Sequence, residues 1–471
     1  MTPPRKQQER PLAALLVPDL LELLEEAPES IGPQTEEMHP ADLADIAEAM
    51  PEEQVRAFLS ALPKERAAEV LEYLDEELRT QVLEEFSTRE AASIVAEMDP
   101  DERADALDEL DDETADEILS ALEPADKAET ERLLQYDPYT AGGLMTTEFV
   151  SVDESLTVEQ ALRAVRSMAS AGRREAMYTI YTVNAAGQLR GVLSLRELLA
   201  APEGAIMGEL AWSEVVSVAP ETPQEEVSQV TSNYDLVALP VVDREKRMLG
   251  VVTVDDVIDV IQEEQTEDAQ KFGGMEALEE PYMQIGLWQN VRKRGGWLAV
   301  LAVSEMLTAS VMARYEGEIG RVLLLSQFIP LIMSSGGNSG SQATSLIIRA
   351  MALGEVHIGD WWRVVLREIP AGMILGVLLG SLAFVRIILW NVLGLYDYGP
   401  HWLLIASTVG VTLLGIVTVG SVTGSMLPFL LKRFGFDPAS ASAPFVATLV
   451  DVSAISIYFG VAYLLLTGTL L

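Results

Sequence analysis

A lone aspartate, Asp451, stands about two helical turns inside the last hydrophobic segment, Ala443–Leu471. A carboxylate near the centre of a spanning helix costs roughly 2.5–3.5 kcal/mol on insertion, so it faces a protein interior or a water-filled path rather than lipid. The chemistry open to it there is to bind a cation; the competing reading is an Asp satisfied by hydroxyls or amides of neighbouring helices. The segment begins Ala443-Pro444-Phe445-Val446-Ala447-Thr448. Its proline removes an amide donor, which is expected to free nearby carbonyls such as that of Ala447, on the same helical face as Asp451. A second polar stretch, Ser334 to Gln342, reads as a glycine-rich interruption of another hydrophobic run. There Gly337 and Gly340 allow close packing and Asn338 offers an amide oxygen. One carboxylate with several neutral oxygens suits a hydrated divalent ion, because magnesium gives up its water reluctantly.

A different set of carboxylates lies earlier. Asp255 to Asp268 reads as a helix with an apolar stripe and a run of acids, among them Asp256, Asp259, Glu264, Glu267 and Asp268. It leads through Lys271-Phe272-Gly273-Gly274 towards the first hydrophobic span. Repulsion among these groups and Glu225 and Asp235 would be relieved by divalent ions, which as hard cations prefer oxygen ligands. A solvated linker helix is the plainer reading of the same charge pattern.

The elements that must position these groups fall into two halves. The first 280 residues carry 64 Asp and Glu against 21 Lys and Arg, a formal charge of −43, whereas the remainder carries +2. Such acidity excludes nucleic acid as a partner and favours metal cations. With no cysteine there is no disulfide framework and no thiolate metal site, and three scattered histidines do not make a zinc site. Nothing suggests an enzyme: there is no phosphate-cradling loop and no aspartyl-phosphate motif. The N-terminal MTPPRKQQER lacks a continuous apolar core, so the acidic part is expected to stay in the cytoplasm.

The second half holds five predicted spans, near Gly296–Ala313, Ile319–Ile348, Val364–Leu393, Trp402–Leu431 and Ala443–Thr469. Each can cross about 30 Å of hydrocarbon. Arg292-Lys293-Arg294, Arg349, Arg363, Arg367 and Lys432-Arg433 all fall on one side under alternating threading. That side is cytoplasmic by the positive-inside rule, with the C-terminus outside.

The acidic half is written in repeats. MHPADLADIAEAMPEEQVRAFLSALP from Met38 returns 60 residues later as MDPDERADALDELDDETADEILSALEP, a pattern of short amphipathic helices that stack as a superhelix. From about Tyr139 a second repeat follows, in which FVSVDESLTVEQALRAV is matched by VVSVAPETPQEEVSQV and YTVNAAGQLRGVLSLREL by LPVVDREKRMLGVVTVDDV. Each unit reads as a short strand, a helix, two strands around a polar turn and a closing helix. The endings Gly191-Val192-Leu193-Ser194 and Gly250-Val251-Val252-Thr253 resemble a tandem pair of CBS domains. Such pairs often bind adenosyl nucleotides. Thr179 and Leu236 stand where an aromatic would help to sandwich an adenine, so ATP is a secondary expectation.

This order of parts, with GGNSGSQATSLIIRA and PFVATLVDVSAISIYFG in the spans, closely resembles the MgtE family of bacterial magnesium channels. The resemblance runs from about Pro40 to the end. It implies a multidomain fold: an N-terminal extension (1–37), an all-α superhelical N domain (38–138), tandem α/β CBS domains (139–206 and 207–262), the end of a connecting plug helix with its linker (263–288) and a five-helix transmembrane domain (289–471). It also implies a homodimer in the cell membrane, with Asp451 holding hydrated Mg2+ in a pore lined by Ala447, Asn338, Gly337, Gly340, Pro444 and Thr448. Glu225, Asp235, Asp256, Asp259, Glu264, Glu267 and Asp268 are then the cytosolic Mg2+ sensor that keeps the pore shut. The chain departs from the family pattern at Pro223, where an acid is expected, and at Pro138-Tyr139-Thr140, which replaces a more acidic run. Two further readings stand beside a gated channel. One is a carrier coupled to Na+ or H+, for which Glu305 and Glu368 are the extra intramembrane carboxylates; the other is a membrane-tethered sensor without transport.

Overall fold

The computed structural model describes residues 11–170, 178–278, 282–283, 285–317 and 323–470. The chain divides into two compact units, Met1–Glu264 and Gln265–Leu471.

The 60-residue repeat of the first unit is structural. Helices Pro40–Ala49, Glu52–Ala61 and Lys64–Glu72 (α1) return as Pro100–Asp108 (α2), Asp112–Ala121 and Pro124–Leu133. Pro40, Pro100 and Pro124 sit in first turns, where the missing amide has no partner to lose. Asp75, Ser87 and Asp111 cap the helices that follow them by accepting from free backbone amides. Helices Pro40–Ala49, α1, Thr88–Val95 and Asp112–Ala121 pack each on the next. Their apolar faces merge in one core through Leu43, Ile46, Leu71, Ile94 and Ile118. Residues 11–35, read from sequence as an extension, contribute Ala13, Leu20 and Ile31 to this same core. Arg79 and Arg103 are buried in the stack and both are paired: Arg79 with Glu109 and Glu102, and Arg103 with Glu129 at 3.0 Å.

The two α/β repeats differ at their first strand. In the first, β1 (Val150–Asp153) lies parallel to β2 (Thr179–Val183), which pairs antiparallel with β3 (Leu189–Ser194). The second has helix α3 (Gln224–Asn233) and the antiparallel pair β4 (Ala238–Val242) and β5 (Met248–Thr253), but the segment equivalent to β1 makes only a single bridge, Val218 to Val241. Pro240 has no amide with which to extend that ladder towards Val216. Helix α4 (Val254–Phe272) follows β5 and runs through the division between the units.

Among its described residues the second unit contains five long helices: α5 (Leu287–Arg314), α6 (Ile329–Ala352), α7 (Trp361–Val392), α8 (Trp402–Arg433) and α9 (Ala443–Leu466). Four are long and apolar enough to cross a membrane; α6, with its serines, glycines and asparagine, is long enough but less apolar. The span predicted at Ile319–Ile348 begins within residues 318–322, which lie outside the described residues. Its glycine-rich stretch interrupts the hydrophobic run but not the helix, because α6 is continuous through it. Small residues at four-residue spacing bring the helices together. Gly336 and Gly340 of α6 lie against Gly420 and Gly424 of α8, while Gly372, Gly376 and Gly380 of α7 lie against Thr418, Leu414 and Gly410 of α8. Half of the apolar stretch of α8 is buried within the chain, against only 6% of that of α5.

Candidate ion path and acidic sites

Asp451 lies on α9, a helix whose start is strongly specified. The Ser442 hydroxyl caps it by accepting from the Phe445 amide, and Pro444 occupies its first turn. A proline there removes no bond of the helical ladder. The carbonyl of Ala447 lies within the helix, where the Asp451 amide is its ladder partner. The expectation of a carbonyl freed at Ala447 is therefore corrected: the proline fixes where the helix begins. Thr448 is similarly inward-bound, its hydroxyl donating to the Pro444 carbonyl at 3.0 Å.

Glycines of α6 set how near this helix comes. A Cβ on Gly337 would stand 3.2 Å from that of Ala447, and one on Gly340 would stand 2.9 Å from a Val446 methyl. The polar side chains of the motif divide by direction. Ser339 bonds the Val417 carbonyl and Ser421 on α8, Thr344 bonds the Gly424 carbonyl, and Ser341 bonds the Ala443 carbonyl of α9. Asn338 remains exposed within this chain and its amide donates to Ser334 at 3.3 Å. The structure thus gathers Gly337, Gly340, Ala447 and the half-buried Asp451 along one helix pair, with Asn338 next to Gly337.

Two further elements of this unit reach α9. From α5, the Trp297 indole donates to Ser442 Oγ at 3.1 Å and its ring meets Phe445, and further along Tyr315 stacks on Phe459. From α4, Phe272 packs with Ile348, Leu427, Val446 and Val450. The turn after α4 needs Gly274, which has φ +79° and lies where a Cβ would strike the Trp297 ring at 2.9 Å. Lys271 sits between Glu267 and Asp437, the latter at 2.6 Å. Burial alone would lower the Lys271 pKa, but hydrogen bonds to Asp437 and Glu267 outweigh it and hold the ammonium form above its usual range. Glu267, expected as a sensor ligand, is thus already paired with a lysine.

The other expected sensor residues occupy separate positions. Glu225 is in the first turn of α3, and Asp235 follows that helix in a left-handed turn with φ 50°. Glu264 accepts from the Gln224 side chain at 2.8 Å. Asp256 accepts from the Thr253 hydroxyl at the start of α4, while burial, with Asp255 and Glu102 adding, pushes its pKa up to about 7. Burial also raises Asp259, on the next turn, and Asp255 adds to the shift. Asp268 lies on the last part of α4.

Glu72 and Glu102 of the stacked helices were not singled out in the sequence. Enclosure pushes Glu72 up to about 8, and Asp99 and Glu102 add to the rise. Burial likewise raises Glu102, against the pull of Arg79. No local signal marks these two among so many acids; their proximity arises where the end of α1 meets α2. Among the described residues, no three His, Asp or Glu side chains are placed to hold one metal ion together.

Comparison with known proteins adds independent findings. Residues 329–461 match the MgtE family described as divalent cation transporter, 38–139 match the MgtE intracellular N domain, and 141–204 and 207–263 match CBS domains. The chain is similar to the magnesium transporter MgtE of Thermus thermophilus, 42% identical over 73% of this chain and 74% of that one. It is also similar to its namesake in Enterococcus faecalis, 33% identical over 72% and 71% respectively. A crystal structure of the cytosolic domain of the Mg2+ channel MgtE in complex with ATP is 39% identical, covering 52% of this chain and all of that one, with a TM-score of 0.49.

Proposed function

The chain belongs to the MgtE family of magnesium transporters, a multi-pass membrane family and not an enzyme family, and on that premise we propose that it is a Mg2+-selective channel for uptake. Its cargo is hydrated Mg2+, bound in the membrane by Asp451. The observation that carries this reading is the position of Asp451: a half-buried carboxylate on an apolar helix, beside glycines that keep α6 close. One carboxylate with water and neutral oxygens matches an ion that keeps its hydration shell.

The proposal extends to regulation. Glu72, Glu102, Asp256 and Asp259 are held in surroundings that disfavour their charges. Divalent cations neutralise such groups, so cytosolic Mg2+ would favour the compact arrangement of this unit, and α4 would carry the change to the start of α9. In this reading the chain acts as a homodimer with its N-terminus cytoplasmic and its C-terminus outside, as the basic residues beside α5, α6, α7 and α8 favour. ATP at the CBS pair is a lesser part of the proposal.

Single-channel recording of purified protein in bilayers tests it, stepping Mg2+ on the acidic-domain side and comparing the wild type with Asp451→Ala. Discrete openings that high Mg2+ abolishes, and that the variant lacks, are the expected result. Silent bilayers together with liposome uptake that needs a Na+ or H+ gradient would establish the carrier instead.

A further inference from the structure

Glu305 is a carboxylate that the proposed path leaves without a part. It lies on α5, is exposed within this chain, and has no ion pair to Lys or Arg among the described residues. Lipid is a poor environment for such a group, and intramembrane carboxylates face a protein interior or a water-filled path.

The packing of α5 on α9 fixes its level. The helices run parallel and are fastened twice, by Trp297 on Ser442 and Phe445 and by Tyr315 on Phe459, whose ring centroids are 6.1 Å and 4.7 Å apart for the Trp297–Phe445 and Tyr315–Phe459 pairs. Glu305 is eight residues beyond Trp297 and ten before Tyr315, while Asp451 is six beyond Phe445 and eight before Phe459. Both carboxylates therefore stand a little under half-way between the same two fastenings, and they lie within electrostatic range of each other. Trp297, Leu301, Ser304, Thr308, Val311 and Tyr315 form the covered stripe of α5, and Glu305 flanks it instead of being sealed beneath α9. On that stripe, one turn beyond Glu305, Thr308 is only 3% exposed and its hydroxyl has no hydrogen-bond partner among the described residues, a spare neutral oxygen on the face turned to α9.

We infer that Glu305 is a second cation-binding carboxylate of the ion path, acting with Asp451 at one level of the membrane on the same hydrated divalent ion. The inference rests on the reading of Asp451 above. Two negative charges at one level balance a divalent ion and favour it over monovalent ions, whose attraction to each carboxylate is half as great.

Mg2+ influx into liposomes holding the full-length protein and a Mg2+-sensitive dye tests this. Glu305→Gln is expected to raise the half-saturating Mg2+ concentration about tenfold while leaving maximal flux within about twofold, and Glu305→Asp, which keeps the charge, to raise it less. An unchanged half-saturation in Glu305→Gln, a loss of maximal flux alone, or equal effects of Gln and Asp would overturn the inference. Glu305→Ala replaces the Gln variant if the latter does not reconstitute. Asp451→Asn separates the two readings: wild-type flux in that variant sinks both, whereas an inert Asp451→Asn beside a wild-type Glu305→Gln sinks only the role of Glu305.

Discussion

Acidic residues serve the two units under opposite conditions. In the first unit carboxylates are abundant, and the few that matter electrostatically, such as Glu72 and Asp256, are distinguished by where the stacked helices and the start of α4 enclose them. In the second unit they are scarce, and an apolar medium makes each one conspicuous. Where charge is common, tertiary packing selects it; where charge is rare, the medium does. The first arrangement suits a graded response to ion concentration, and the second suits a selective site.

The comparison is broken most directly at its scarce end. Asp451→Ala should lower Mg2+ flux in liposomes about a hundredfold, which corresponds to ~3 kcal/mol of lost ion stabilisation. Flux within twofold of wild type would mean that the medium did not mark a functional group.

Packing around that site comes next. A methyl group at Gly424 would run into the Gly340 carbonyl of α6. Gly424→Ala is therefore expected to destabilise the membrane unit by about 1–3 kcal/mol, seen as a lower Tm in detergent. Gly435→Ala tests the other use of glycine, since it lies in open space but at φ +81°, and should cost less.

The abundant end responds to pH. The folded value of Glu72, about 8, is above its ordinary 4.5, so the folded state binds more protons than the unfolded state between those values. Stability from this group is complete below 4.5 and is lost as the pH rises to about 8. In chelator, the Tm should fall across that window and recover when Mg2+ is added; Glu72→Gln should flatten the slope. A pH-independent Tm would remove Glu72 from the sensing set.

The smallest effect belongs to the ion pairs at the end of α4. Lys271 is partly exposed and its pairs with Asp437 and Glu267 are open to screening. Such pairs contribute at most about 1 kcal/mol, so under the proposed gating Lys271→Gln should move the inhibiting Mg2+ concentration by about fivefold or less. A larger shift in single-channel recordings would make the Lys271–Asp437 pair the main hold on the end of α4.

How far the sequence carried the fold varied with the range of the interaction. The 60-residue repeat was legible because each helix writes its own proline or acidic start and its own apolar face. The CBS pair was legible from alternating Val and Leu around polar turns, although Pro240 reduced the second parallel strand to a bridge. In Ser334–Gln342 the composition interrupts a hydrophobic run, and α6 continues through it because glycines in a helix can be compensated by the close neighbours they admit. Pro444 was read for the bond it loses, whereas at the start of α9 there was none to lose.

By itself the sequence determined the contrast between an acidic and an apolar half, the order of their parts and the presence of Asp451 in an apolar helix, because composition and periodicity act locally along the chain. Only the tertiary structure decided that Glu72 meets Glu102, that Asp437 meets Lys271, and that Glu305 stands level with Asp451. Those pairings depend on the register between helices far apart in sequence, and register is set by which ring, glycine or hydroxyl seats against which, a relation that no single segment contains.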